Sequence, residues 1–191
     1  LRVVTGLPRA DRWVEVRAGT VGELIALGRS QGEVIVDVGF ALEADPAADY
    51  AGRAGRNTMT LEALEHADQL VVVGSADPVG LARLARGLVE LREVTEDRPV
   101  HVVVNRMRGS LGWAEQDLAE MVSSFAILAS LHVLPEDRVA TDRALVAGRT
   151  LSESGDSALA KGLAGLVDAL HPGTARPRRS LRRRTGVPAR R

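Results

Sequence analysis

The sequence has no cysteine, and this absence excludes a class of site at once. Without cysteine, a chain of 191 residues has neither disulfides nor thiolate metal ligands. Its four histidines lie far apart and never recur at i, i+4, so no histidine-based metal motif is present. No apolar run approaches the roughly 18 to 20 residues that span a bilayer, and no signal peptide pattern opens the chain. We therefore expect a cytoplasmic protein.

A phosphate-binding loop is missing from the sequence as well. Such a loop needs Gly-Lys followed by Ser or Thr, because backbone amides surround the phosphates and the lysine neutralises them. The chain has no such motif, and its sole lysine, Lys161, lies within the amphipathic pattern "SALAKGLAGLVDAL". We expect Lys161 on the solvated face of a helix. No G-x-G-x-x-G follows any predicted strand either, which disfavours a dinucleotide-dependent enzyme.

Charge is distributed unevenly along the chain. Residues 173–191 carry eight of the 25 basic residues and none of the 25 acidic ones, so the remainder has a net charge of −8. This tail has little apolar content and two prolines, and we predict that it is disordered. Residues 1–172 contain enough apolar side chains for one α/β domain.

Short β-branched runs alternate with helical patterns along the chain. The runs are apolar on both faces, which indicates buried parallel strands. They are "RVVT" near the start and residues 33–37, 70–74, 100–105 and 126–134. Helical patterns cover residues 20–28, 61–66, 77–94, 113–123, 138–147 and 157–170. Thr20 and Glu23 have the spacing of a capping box, and Asp77 precedes Pro78 as an N-cap. The order predicts a doubly wound α/β fold with a mainly parallel sheet.

The strand "EVIVD" ends on Asp37, and Gly39 follows two residues later. The carboxyl ends of parallel strands face the ligand crevice, so a carboxylate there can meet a bound ion. Asp-x-Gly before a long loop is typical of P-loop nucleotide hydrolases, which use it to hold the water shell of Mg²⁺ and to sense the γ-phosphate. The alternative is that Asp37 caps the next turn and Gly39 supplies its conformation.

Two later strands also end on polar residues. "VVVNRM" ends on Asn105 and Arg106. The amide of asparagine matches the edge of adenine and arginine can stack on a base, although an asparagine can equally turn the chain. The last strand runs into Pro135 and Glu136. An acid there can equally be explained as part of a helix start, where it interacts with the positive end of the helix dipole.

Taken in order, these motifs resemble the switch and base-binding half of the MinD/ParA/CpaE family of P-loop ATPases, over roughly residues 1–171. The carriers are "VIVDVG", "TLEALEHADQLVVVGSADPVGLARLARGL", "VHVVVNRM" and "LPEDRVATDRALVAGRTLSE", and "LRVVTGLPRADRW" looks like actinobacterial members. The resemblance implies that Asp37 is the Mg²⁺-linked acid of switch II and that Gly39 senses the γ-phosphate. It also implies that Asn105 binds adenine, that Arg106 flanks it, and that Pro135 and Glu136 lie beside the base.

The resemblance also implies ATP and Mg²⁺ as cofactors, ATP-dependent homodimerisation, and a role in positioning division sites, chromosomes or pilus machinery. In this family the phosphate loop precedes the matched region, so we expect a carboxyl-terminal part of a longer ATPase that is inactive alone. Its sheet should then have a gap between residues 33–37 and 70–74. The arginine-rich tail suggests affinity for DNA or anionic surfaces. The alternative is a non-catalytic α/β adaptor.

Overall fold

The computed structural model describes residues 2–43, 45 and 55–173. Its parallel sheet has three strands in the order β1 (Val71–Ser75), β2 (Val100–Met107), β3 (Leu128–Pro135). The helices are α1 (Thr20–Arg29), α2 (Thr58–His66), α3 (Pro78–Thr95), α4 (Glu115–Ser123), α5 (Arg138–Val146) and α6 (Ala158–Leu170). Short 3₁₀ helices cover Ala10–Glu15 and Gly109–Leu111. All but the first residue of the predicted tail lies outside the described residues.

Two apolar clusters lie on opposite faces of the sheet, as the amphipathic patterns require. On one face, α3 lies over β1 and α4 lies beside β3, and both join β2 in one apolar cluster that includes Leu81, Leu84, Leu88, Leu91, Leu118, Val122, Val100, Val102 and Val104. On the other face, α6 packs on β2 and β3 through Leu159, Leu163, Leu166, Val103 and Leu134. The α/β class and the parallel sheet flanked by helices are therefore confirmed.

The predicted helices all form, and one of the two predicted caps is confirmed. The Asp77 carboxylate accepts a hydrogen bond from the Gly80 amide at 2.9 Å, with Pro78 in the first turn, as the sequence predicts. The capping box at Thr20 is wrong, because Thr20 is already helical and Gly19 occupies the cap position with φ 89°. Glycine adopts that left-handed conformation without steric cost and starts α1 without a side-chain cap.

Two of the five predicted strands do not form. "RVVT" and residues 33–37 belong to no ladder among the described residues, whereas the other three runs make β1, β2 and β3. Ile35 is 90% exposed and Phe40 is 96% exposed, so the apolar pattern of this segment meets solvent rather than the core. The physical reason is that a strand needs a neighbour for its backbone hydrogen bonds, and within the described residues this segment has none.

One edge of the sheet is open. Within the described residues β1 pairs only with β2, and its other edge has no partner strand. Val71 and Val73 lie on the same face of the sheet as α6. They remain 42% and 62% exposed, because α6 packs against β3 and does not cover β1. The sheet thus ends beside β1 with half-exposed apolar side chains and unpaired backbone groups.

A polar chain of three side chains lies on the same face as α6. The Nδ1 atom of His101 lies 2.7 Å from Ser130 Oγ, and Ser130 Oγ lies 2.8 Å from His132 Nε2. His101 is buried, and its burial and the nearby His132 lower the pKa of its imidazole. Burial and, after it, the proximity of His132 therefore disfavour the protonated form of His101.

Candidate functional site

The carboxyl ends of β2 and β3 lie side by side. Met107 pairs with Pro135, and the Glu136 amide donates a hydrogen bond to the Met107 carbonyl at 2.8 Å. The ladder is irregular between Val104 and Met107, where Arg106 adopts a left-handed φ of 60°. The structure thus brings four predicted site residues, Asn105, Arg106, Pro135 and Glu136, to one edge of the sheet, which we call the Asn105 edge.

Among the described residues, only the oxygen of the Asn105 side-chain amide has a hydrogen-bond partner. Its Oδ1 atom accepts a hydrogen bond from the Arg106 amide at 2.8 Å, which is the turn geometry that we considered as the alternative. Its backbone carbonyl accepts from the Ala76 amide at 2.9 Å and so ties the ends of β2 and β1 together. The Nδ2 group remains available as a donor. The Arg106 side chain is exposed and has no ion pair with any described residue.

Glu136 interacts with two arginines at the same edge. Its carboxylate lies 2.9 Å from the Arg138 guanidinium and 3.6 Å from that of Arg108, and only 18% of its side chain is exposed. The residue therefore connects the loop after β2 to the start of α5. This part of the edge is polar and partly dehydrated, with the Glu136 charge balanced by its neighbours.

The structure adds residues that the sequence did not single out as part of a site. Trp113 donates a hydrogen bond from Nε1 to the Ala76 carbonyl at 3.1 Å, and 41% of its surface is exposed beside the ends of β1 and β2. Asp77 accepts a 2.5 Å hydrogen bond from the Ser75 hydroxyl, which lowers the pKa of the carboxyl together with the Gly80 amide. Trp113, one of only two tryptophans, could have been noticed from its place after the β2 strand.

Asp37 and Gly39 lie in segment 33–40, which pairs with no described strand, and in the part of the chain that the structure describes no hydrogen bond or ion pair joins either residue to the Asn105 edge. Both are exposed. At one end of the segment, Glu33 lies 2.8 Å from His171 just after α6. At the other end, a Cβ placed on Gly39 would lie 4.0 Å from Thr60 Oγ1 in α2. The Glu33–His171 pair thus links the start of the segment to the end of α6, and the roles of Asp37 and Gly39 stay predictions.

The Asn105 edge carries side chains of the kinds that can contact a nucleotide base, whereas the sequence has no phosphate loop for a triphosphate. The free Asn105 amide, the exposed Arg106 and the Trp113 ring supply a hydrogen-bond donor and flat surfaces for stacking. No Gly-Lys-Ser/Thr motif exists in the sequence, and Lys161 pairs at 2.9 Å with Asp156 on the exposed surface of α6. Among the described residues no group of three histidine, aspartate or glutamate side chains could hold a metal ion. Asp37 would thus need ligands from elsewhere to hold Mg²⁺.

Membrane-spanning helices are not found among the residues that the structure describes: none of its helices combines the necessary length and apolar character.

Comparison with known proteins identifies a similar fold but no sequence family. No family model matches the sequence. No curated protein matches it either. The crystal structure of a ParA family ATPase from Chlorobium tepidum TLS matches with a TM-score of 0.61 and 18% sequence identity. The match covers 88% of this chain but 63% of that ATPase, so the chain spans less than two thirds of the protein it resembles. Identity at this level is evidence of fold alone, and the chain has a ParA-like α/β fold.

Proposed function

We propose that this chain is the carboxyl-terminal, base-binding part of a ParA/MinD-like ATPase. The observation that carries the proposal is the Asn105 edge, where two adjacent strands of a ParA-like fold end together on a free amide and an exposed guanidinium. Ligands of open α/β sheets bind in the crevice outside these strand ends. Asn105 would bind the edge of adenine, Arg106 would flank the base, and the backbone at Pro135 and Glu136 would lie beside it.

The open edge of β1 supports the proposal that the phosphate loop lies on another segment of the ATPase. A further strand, supplied by a polypeptide segment that carries the phosphate loop, would pair with β1 on one side and with residues 33–40 on the other. Both sides have exposed apolar side chains, including Val73 at 62% and Ile35 at 90%. Pairing would place residues 33–37 in the sheet, with Asp37 at the carboxyl edge to hold the water shell of Mg²⁺ and Gly39 near the γ-phosphate.

The proposed cellular activity follows from the family that the fold resembles. We propose that the complete ATPase is cytoplasmic, dimerises when it binds ATP, and acts in spatial positioning of a division site, a chromosome or pilus machinery. The arginine-rich segment 173–191 would add affinity for DNA or another anionic surface through counterion release. Bound ATP would supply the γ-phosphate that orders the segment after Asp37.

A second candidate is a non-catalytic α/β adaptor. The observation that favours it is the complete absence of a Gly-Lys-Ser/Thr loop from 191 residues, together with the surface pairing of Lys161 with Asp156. An adaptor with this fold would keep the packed sheet and bind a protein partner through it, without a nucleotide.

Adenosine distinguishes the two candidates because it carries the base without the phosphates. In a nuclear magnetic resonance titration of the full chain, we expect adenosine to shift the signals of Asn105, Arg106 and Trp113 with a dissociation constant of about 1 mM. Replacing Asn105 with alanine removes one hydrogen bond and should weaken binding by about fivefold to tenfold. Guanosine should bind more weakly, because its base presents different groups at its edge.

Asn57→Ala is the matched control, since Asn57 is the other asparagine of the chain and its side-chain amide bonds Glu43 in a different region. This variant should bind adenosine like the parent. Equal responses to adenosine and guanosine, or equal losses in the two asparagine variants, would contradict the base site. No response to either nucleoside would favour the adaptor.

A further inference from the structure

A groove with an apolar floor lies between α2 and the last turns of α3. Its volume is about 690 Å³, and its floor includes Leu42, Leu61, Leu64 and Val94. Arg98 closes one end, where its guanidinium donates to the Leu64 carbonyl at 3.0 Å and to the Ala67 carbonyl. This groove is separate from the Asn105 edge, because it lies beside the carboxyl end of α3 whereas Asn105 lies near its amino end.

The rim of the groove is strongly acidic. Among the described residues that line it, Arg98 is the single cation against five glutamates: Glu43, Glu65, Glu90, Glu93 and Glu96. Among the described residues none of the five carboxylates forms an ion pair, and only that of Glu43 accepts a side-chain hydrogen bond, from the Asn57 amide at 3.3 Å. Five carboxylates against one guanidinium around an apolar floor make the local potential negative and attract a cationic, partly apolar ligand.

The chain itself contains a segment with the complementary charge. Residues 174–191 carry eight arginines and no acid, interrupted by Leu181 and Val187, while the preceding residues carry a net charge of −8. The last described helix ends near one end of the groove, because the Leu170 carbonyl of α6 accepts a hydrogen bond from Gln69, two residues after Ala67, whose carbonyl accepts from Arg98. Eighteen residues reach up to about 60 Å when extended.

We propose that the arginine-rich segment 174–191 of this chain docks into the acidic groove between α2 and α3 of the same molecule. The arginines lie against the glutamate rim, and Leu181 packs on the apolar floor. Docking in the same molecule is favoured over a second copy because the tether holds the segment at a high effective concentration. The groove then competes with any anionic partner for the same arginines.

The absence of cysteine permits a direct test on the full chain. A spin label attached to Ser180→Cys has no competing thiol, and it broadens the amide signals of residues that it approaches. At about 0.05 M ionic strength we expect the signals of Leu64, Glu93 and Val94 to fall to half or less, because the docked state is the major one. The Val146 signal in α5 should not change.

Salt and charge-neutralised variants decide whether the glutamates are responsible. Raising the ionic strength to about 0.5 M shortens the screening length roughly threefold and should restore the signals. The groove variant, Glu90→Gln with Glu93→Gln and Glu96→Gln, should lose the broadening at low salt. The matched control removes the same charge from exposed acids of α4 and α5: Glu115→Gln, Glu120→Gln and Asp142→Asn. It should keep the broadening.

Three results would overturn the proposal. The first is no broadening at low salt, and the second is equal broadening in the groove and control variants. The third concerns a mixture of two chains, one isotope-labelled without the spin label and one carrying the spin label without isotope labelling. Broadening that occurs only in this mixture would place the segment on a second copy. If the groove variant does not fold, as judged by its urea unfolding curve, the salt series on the parent chain decides the question alone.

Discussion

Replacing Ile35 with alanine tests whether segment 33–40 is part of the sheet. The sequence predicts a buried strand there, whereas the structure leaves Ile35 90% exposed and without a partner strand. Val102 is the matched reference, because it lies in β2, is 0% exposed and belongs to the main apolar cluster. Both substitutions replace a β-branched side chain with alanine. The difference between their effects on the free energy of unfolding therefore reports how deeply each side chain is buried.

The expected magnitudes differ about tenfold. Full burial of an isoleucine side chain stabilises a fold by about 1.5 to 3 kcal/mol, so a side chain that keeps 90% of its exposure loses about 0.3 kcal/mol or less. Val102→Ala removes two methyl groups from a site with no solvent contact and leaves a cavity, which together cost about 2 to 3 kcal/mol. With a urea m-value of about 2 kcal/mol per molar, the midpoints should fall by roughly 0.1 M and 1 M respectively.

Urea unfolding of the full chain and both variants, followed by circular dichroism, measures these shifts. A loss for Ile35→Ala as large as that for Val102→Ala would refute the reasoning, since it would require Ile35 to be buried in the sheet. If the chain is joined to the segment that supplies the proposed extra strand, the cost of Ile35→Ala should rise to about 2 kcal/mol, as expected for a central strand.

The remaining predictions concern a histidine and two glycines. Burial and, after it, the charge of His132 lower the pKa of His101 in the folded chain, so the unfolded chain binds more protons below about pH 6.5. The free energy of unfolding should therefore fall as the pH decreases from about 6.5, and urea midpoints at several pH values measure this fall. The same dependence of the midpoint on pH in His101→Asn would contradict the prediction. Gly80→Ala should cost about 2 kcal/mol or more, because a Cβ there would lie 2.5 Å from the Ser75 carbonyl oxygen. Gly87→Ala, in the same helix with no atom within 4 Å, should instead raise the thermal midpoint through a gain of about 1 kcal/mol, and equal effects of the two substitutions would refute the packing argument.

The helices were predictable because their signals are local. Apolar residues at helical spacing fixed the buried face of α3, and Asp77 with Pro78 marked its start, as the 2.9 Å bond from the Gly80 amide confirms. The start of α1 was less predictable, because Gly19 has no side-chain signal and Thr20 offered a more familiar cap. The polar ends of β2 and β3 were also visible as residue types, but their adjacency depended on the pairing of Met107 with Pro135.

The α/β class, the helices, the runs able to form strands, the lack of a phosphate loop and the charge of the final segment can all be read from the order of the residues. Which runs pair with one another depends on the folded chain. Residues 33–37 have the composition of a central strand yet stay exposed, because backbone hydrogen bonds in a sheet come from a neighbouring strand that no local pattern can specify. The acidic groove likewise exists only where α2 and α3 meet, since Glu43 and Glu65 come from parts of the sequence remote from Glu90, Glu93 and Glu96 and the fold brings them together.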